Sequence, residues 1–486
     1  MFGVKKTIVN SSVMLVVAAV AGLCVLFVAT AERPPTGKTA ISFQTPFSRG
    51  SYEFKQLEEM TQSFEADNPG IAVRLLADGP DDHERIFRHI LARGSPDVLE
   101  MPLSELAELA GRSALLPLGE MAGSGELFPE AASAAQHNMV TYAQPFRARA
   151  VQLVCNASLL KEAGYDPANP PLNSWNQLRI VCDGIRRELG GRGSFALGID
   201  AGEGDSLARL AAMLVCQNLG ELVSEQTAPD SGRKQWRVAL RNKAESDGKE
   251  AGVQALEMLG QLASYMPPDA AHWRREELLR AFLDGRIVMF FGDVRAVSEL
   301  RSRAPNLPLK VVEAPAHRAP AACVDFFGAV ITAAAAQRPG SYEACQKLLA
   351  HLGGSASQAR VMTGGRTAFP VMVPVVRDLL DDPWYAAHPE YKTFANALWY
   401  PCSSTPITAW REVQRQAFLP ALRRLVAADA SHDQAAQLIV DRGNSVLTTH
   451  YGYVGSITKT HRWGMTAAAV GIFFLVFFTV GHRPKH

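Results

Sequence analysis

The sequence predicts an α/β fold in two lobes, carried between an N-terminal signal or anchor segment and a C-terminal transmembrane helix. Three observations predict it. Strand and helix patterns alternate from Thr39 onward. The stretch between the apolar ends, about 430 residues, is too long for one hydrophobic core. Long apolar runs stand near both termini of the 486-residue chain.

Thr39 to Thr45 (TAISFQT) alternates and is β-rich, so it reads as a first strand. Tyr52 to Asp67 places Phe54, Leu57, Met60 and Phe64 on one helical face, and Asn68-Pro69-Gly70 stops it. Ile71 to Leu76 is a second strand, His83 to Arg93 a helix, Pro96 to Met101 a third strand, and Leu103 to Gly111 a helix. That order implies a parallel sheet with crossover helices. Ser174 with Gln177 is a capping box opening a helix whose buried stripe is Leu178, Val181, Cys182, Ile185 and Leu189. Ser431 with Gln434 repeats the device before a helix from Gln434 to Val446. Ile287 to Phe291 and Val324 to Thr332 are buried strands.

The ends have their own logic. Lys5 and Lys6 precede an apolar run from Val13 to Ala29, and no charge follows until Glu32. About 17 apolar residues suit a signal-peptide core or a short span. Ala29-Thr30-Ala31 offers a small-residue cleavage pattern, so residues 1–31 are a signal peptide or an N-terminal anchor. Cys24 invites lipidation, but Leu23 is bulky where a small residue is needed. Trp463 to Gly481 is uncharged, and its 19 residues cover about 28 Å, enough to cross the hydrocarbon layer. Lys5 and Lys6 at one end and Arg483 and Lys485 at the other place both termini in the cytoplasm and the intervening segment outside.

Lys plus Arg is 49 and Asp plus Glu is 48, and a net charge of +1 gives no case for nucleic-acid binding. The outer segment holds Cys155, Cys182, Cys216, Cys323, Cys345 and Cys402. Export permits disulfides among these, in any of about fifteen pairings; buried thiols are the alternative. No C-x-x-C, G-x-S-x-G, H-E-x-x-H, Walker or dinucleotide signature occurs. The carboxylate pairs Asp81-Asp82 and Asp381-Asp382 are adjacent loop residues that read as solvated charge, so the chain is expected to be no enzyme and to need no cofactor.

Several fragments in order resemble one family. They are the opening strand with the helix ending Phe64-Glu65-Ala66-Asp67-Asn68-Pro69-Gly70, then Gly94-Ser95-Pro96-Asp97-Val98 and Leu115-Leu116-Pro117-Leu118. After them come Val154-Cys155-Asn156 with Lys161-Glu162-Ala163-Gly164, Pro170-Pro171 and Ser174-Trp175, and Phe282 to Met289. Together they resemble the family 1 extracellular solute-binding proteins of ABC importers, the maltodextrin-binding-like group. The resemblance implies a two-lobe periplasmic-binding-protein-like fold. Lobe one would be 38–150 plus 325–368, and lobe two 151–323 plus 369–455. Chain crossings would fall near Arg149 to Leu153, Cys323 to Phe326 and Arg366 to Pro370. It further implies a carbohydrate or related polar ligand bound in the cleft, hinge closure, and delivery to permease subunits.

Candidate cleft residues follow. Trp410 stands after Thr405-Pro406, where the family often carries a cleft tryptophan; Trp399 and Tyr400 stand just before. A core position is the other reading for these aromatics. Gln44 and Glu100 lie at strand ends, which point into the crevice of an open α/β sheet. Phe146 and Arg147 lie near the first crossing, and Arg366 near the third, where it binds an anionic group or bridges the lobes. Phe291 and Asp293 stand where many relatives place a stacking tryptophan, and Asp325 where relatives are glycine-rich. These departures, and the two membrane segments, leave a ligand-sensing or assembly module on the same fold as the alternative to transport.

Overall fold

Thr39–Thr45 forms the first strand, β1, with its C-terminal half buried. In a computed structural model the described residues are 37–77, 90, 96–119, 126–203, 205–227, 234–243, 248–367, 369–402, 407 and 409–450. The helix expected over His83 to Arg93, apart from Ile90, lies outside them, as do segments 1–31 and 463–481. Among the described residues no helix is long and apolar enough to cross a membrane. The remaining strands are β2 (Ile71–Ala77), β3 (Val98–Pro102), β4 (Gln136–His137), β5 (Val140–Thr141), β6 (Ala143–Asn156) and β7 (Phe195–Gly198). They continue with β8 (Val223–Thr227), β9 (Lys234–Val238), β10 (Ile287–Asp293), β11 (Leu309–Val312) and β12 (Val324–Ile331).

Eight strands form one sheet: seven run in the order β2-β1-β3-β12-β6-β10-β7, and β11 is added to β6. The expected parallel unit is present, because β1 pairs in parallel with both β2 and β3. Strand β6 is what makes two lobes of this sheet. Its first part, Ala143 to Ala150, pairs with β12, and its second part, Val151 to Cys155, pairs with β10. The change of partner falls between Ala150 and Val151, inside the stretch expected for the first crossing. A register shift at Phe327/Gly328 skips Phe146. Pro145 lacks an amide for the ladder there. A side chain at Gly328 would approach Leu103 Cδ2 to 2.7 Å, so the bulge is packed as well as unpaired.

One face of the first lobe's sheet buries Ile41, Phe43, Phe146 and Phe327 against Leu57, Met60 and Phe64 of the helix Tyr52–Asp67 and Leu348 of the helix Ser341–Gly353. The second lobe packs Leu153, Val154, Phe290 and Leu197 against helices that include Trp175–Leu189 and Asp205–Gln217. Both capping pairs form, with a difference. Ser431 and Gln434 exchange amides with each other. Gln177 instead accepts from the amide of Asn173, one residue before Ser174. The C-terminal helix runs further than its pattern suggests, over 432–450. The short strands β7 and β11 and the ribbon β8–β9 have too few residues to show a period in sequence.

Of the open cysteine pairings, the structure forms Cys216–Cys402, with Cα atoms 5.8 Å apart. The bridge ties the segment after Tyr400 to the end of the helix Asp205–Gln217. The thiols of Cys155, Cys182 and Cys345 are buried, and burial pushes each well above its ordinary range.

Candidate functional site

Two arginines on β6 define the lobe junction. Arg147 is fully buried, with Nε 2.6 Å and Nη2 2.7 Å from the Glu100 carboxylate. Its Nη1 donates to the Glu53 carbonyl at 3.1 Å, and Thr45 Oγ1 donates to Glu100 at 2.6 Å. The rings of Phe47 and Phe146 lie about the guanidinium at 5.0 and 5.1 Å. This group is a saturated, dry ion pair inside the first lobe. Glu100, Arg147 and Phe146, expected to face a ligand, are therefore occupied with one another. The Phe146 ring belongs to the lobe-one core, since its position on the bulge beside Pro145 turns it inward.

Arg149, two residues on, lies opposite Asp325 of β12 and next to the switch toward β10. Its Nε is 3.6 Å from Asp293 Oδ2, beyond hydrogen-bond length, and is a buried donor with no acceptor. Burial, and then the neighbouring Arg209, hold this guanidinium below its ordinary range, against the pull of Asp293, Asp325 and Glu53. Asp325 pairs with Arg209 at 2.9 Å. Asp293 ends β10 and caps the helix Val294–Arg303, accepting from the Ala296 amide at 3.0 Å. It also pairs with Arg275 at 2.8 Å. Burial pushes the Asp293 carboxyl up, but Arg275 and Arg149 outweigh it and hold it below the usual carboxylate range.

A pocket in the second lobe opens on this cluster. Its polar lining is Asp200, Ser206, Arg209, Arg275 and Asp293, and Phe291 and Phe290 are its aromatic members. Asp200 follows β7, so both carboxylates stand at the C-terminal ends of strands that run parallel. Burial drives Asp200 up to about 6, against its hydrogen bond with Ser206 and the charge of Arg275.

Ion pairs join the two sides of the cleft. Arg295, in the helix after β10, reaches Glu53 in the helix after β1 at 3.2 Å. Arg411 lies 3.6 Å from Glu105, which follows β3. Trp410 packs edge-on against Phe418 at 5.3 Å. Trp399 is 45% exposed and meets Phe128 edge-on at 4.9 Å, with Arg377 over its ring. Burial pushes the Tyr400 hydroxyl above its ordinary range, and its carbonyl accepts from Ala322 at 2.9 Å. None of these three lines the charged pocket. Gln44 is buried in β1. Arg366 sits exposed on a turn whose amide donates to Glu59, in the middle of the helix Tyr52–Asp67, and is not part of the cluster.

The structure thus brings together Phe291, Asp293 and Asp325 from the expected set and adds Arg149, Arg209, Arg275 and Asp200. Arg149 carried one usable signal, since it stands at the expected crossing. Arg209 and Arg275 carried none, because their partners are distant in sequence.

The profile of the bacterial extracellular solute-binding proteins matches residues 59–393. No curated protein sequence matches the chain. Among solved structures, the sugar-binding protein MalE of Xanthomonas citri aligns with a TM-score of 0.68 at 19% identity over 86% of this chain and 99% of its own. Maltose-bound MalE3 of T. maritima gives 0.67 at 18%, over 84% and 100%. The GacH receptor of Streptomyces glaucescens, solved unliganded and with acarbose, gives 0.66 at 18%, over 85% and 99%. At these identities the likeness is one of fold.

Proposed function

The chain belongs to the bacterial extracellular solute-binding proteins, and from that premise we propose that it is the membrane-anchored binding component of an ABC importer. It takes a carbohydrate or related polar solute between its lobes, 38–150 with 325–368 and 151–323 with 369–455, and passes it to permease subunits. The body stands outside the bacterial cytoplasmic membrane, and segment 463–481 spans it. The protein acts by binding alone, without catalysis or a cofactor.

The observation that carries this reading is the half-buried cluster at the β6 switch. Arg149, Arg209, Arg275, Asp293 and Asp325 combine guanidinium donors with carboxylate acceptors, and the buried Nε of Arg149 is unspent. Paired opposite charges suit a neutral solute rich in hydroxyls, which both donate and accept. The maltose and acarbose named for the relatives support a sugar. A solute touching both lobes stabilises only the closed arrangement, so it shifts the population toward closed.

A sensing or assembly role is favoured by one observation: the Glu53–Arg295 and Glu105–Arg411 pairs already join the lobes. Small-angle scattering of residues 38–455 with a panel of sugars and polyols separates the two. Import predicts compaction with at least one compound. An unchanged profile, with no thermal shift for any compound, would sink the sugar reading and favour sensing.

A further inference from the structure

We propose that the pair Glu53–Arg295 is a built-in closing contact: it draws the lobes together through the chain's own charges and so supplies part of the closure that a solute completes. The inference concerns the cleft of the reading above, and rests on that reading for what the closure serves. Both residues open helices at the crevice edge of the sheet. Glu53 stands in the first turn of the helix after β1, and Arg295 is the second residue of the helix after β10. Strand C-terminal ends face the crevice of an open α/β sheet, so the two side chains meet across it, at 3.2 Å.

Each side of the contact is held in place. On the first lobe, the Glu53 carbonyl accepts from Nη1 of the saturated Arg147 at 3.1 Å. On the second, Arg295 Nε is 2.7 Å from Glu299, Glu299 is 3.4 Å from Arg275, and Arg275 is 2.8 Å from Asp293. A chain of alternating charges thus runs from the first lobe into the charged pocket, which Arg275 and Asp293 line. The Glu53 side chain is fully buried and that of Arg295 is 34% exposed, so solvent screens their attraction only in part. The other pair across the cleft, Glu105–Arg411, spans 3.6 Å with Arg411 58% exposed, and contributes little. Without Arg295, the closed form would hold the Glu53 charge uncompensated, whereas parting the lobes hydrates it. Loss of the guanidinium therefore favours the open arrangement.

The test measures the lobe-to-lobe distance by electron–electron resonance in the full chain with Cys24→Ser, in detergent micelles and without any solute. Spin labels sit at Gln346→Cys, exposed on the first-lobe helix Ser341–Gly353, and at Ile180→Cys, 57% exposed on the second-lobe helix Trp175–Leu189. The natural pair should give a mainly closed distribution. Arg295→Met should lower the ratio of closed to open about tenfold, Arg295→Lys should restore it, and Arg411→Gln should leave it unchanged. Glu53→Gln, which keeps the side chain's shape, should shift the ratio in the same direction as Arg295→Met. An unchanged ratio in both Arg295→Met and Glu53→Gln, or Arg295→Lys as open as Arg295→Met, overturns the inference. Calorimetry of the same chains with maltose and polyols separates two failures. Distances that respond as expected in a chain that binds no compound keep the closing contact and sink the solute reading; a chain that binds a compound with distances unmoved by either substitution overturns this inference alone.

Discussion

Arg147 and Arg149 stand two residues apart on β6, yet they do opposite work. Arg147 sits in a dry pocket, with every donor group engaged by Glu100 or the Glu53 carbonyl. Arg149 is buried at the point where β6 changes partner, with Nε unpaired and Asp293 out of hydrogen-bond reach. The first charge is saturated and serves the lobe. The second keeps one buried donor without a partner, which is what the proposed solute site draws on. The lesson is that satisfaction of a buried charge, and not its presence, is what sets the two arginines apart, and the proposed binding role of Arg149 rests on that difference.

The contrast is open to attack in order of expected effect. Glu100→Ala leaves the Arg147 guanidinium buried without its partner, and the chain should lose about 3–5 kcal/mol of stability by urea titration. A loss below about 1 kcal/mol would mean that water reaches Arg147, and the contrast would fail. Replacing both partners, with Glu100→Leu and Arg147→Met, should recover most of the loss.

Asp200 sharpens the wet side. Its folded carboxyl titrates at about 6 against an ordinary 3.8, because burial disfavours its charge. The folded chain therefore holds this proton where the unfolded chain releases it. Its contribution to stability falls as pH rises through this window and stays low above it, by on the order of 2 kcal/mol. Asp200→Asn removes that fall. Urea midpoints for both proteins at pH 4.5 and 7 should diverge, with the variant gaining at pH 7; parallel midpoints would contradict the burial argument.

The smallest stability effect is expected at Arg149. Its charge is already disfavoured by burial and by Arg209, so Arg149→Gln should change stability by less than about 1 kcal/mol. The same change should weaken solute binding about tenfold, or about 1.4 kcal/mol. A variant that unfolds, or that binds normally, would place Arg149 in the same class as Arg147.

Much of the scaffold was legible because it repeats at short range. The alternation of TAISFQT, the stripe Leu57-Met60-Phe64 and the Ser431–Gln434 cap each lie within a few residues, and each recurs in the structure. The site was legible only in part. Asp293 and Asp325 were visible as departures from a family pattern. Nothing near Glu100 in sequence tells that Arg147, 47 positions away, neutralises it. Phe146 read as a cleft aromatic because the bulge that turns it into the core depends on pairing with Phe327 and Gly328. Trp410 read either as a cleft tryptophan or as a core one, and its edge contact with Phe418 was equally hidden.

The most direct measurement is calorimetric titration of residues 38–455 with maltose, acarbose and a panel of monosaccharides and polyols. Three proteins are compared: the natural sequence, Arg209→Gln, and Arg192→Gln, whose exposed pair with Glu162 lies on the surface. At least one compound should bind the natural sequence and the Arg192 variant alike, and bind the Arg209 variant about tenfold more weakly. Binding to none of the compounds, or equal weakening by both substitutions, would contradict a solute site at the charged junction.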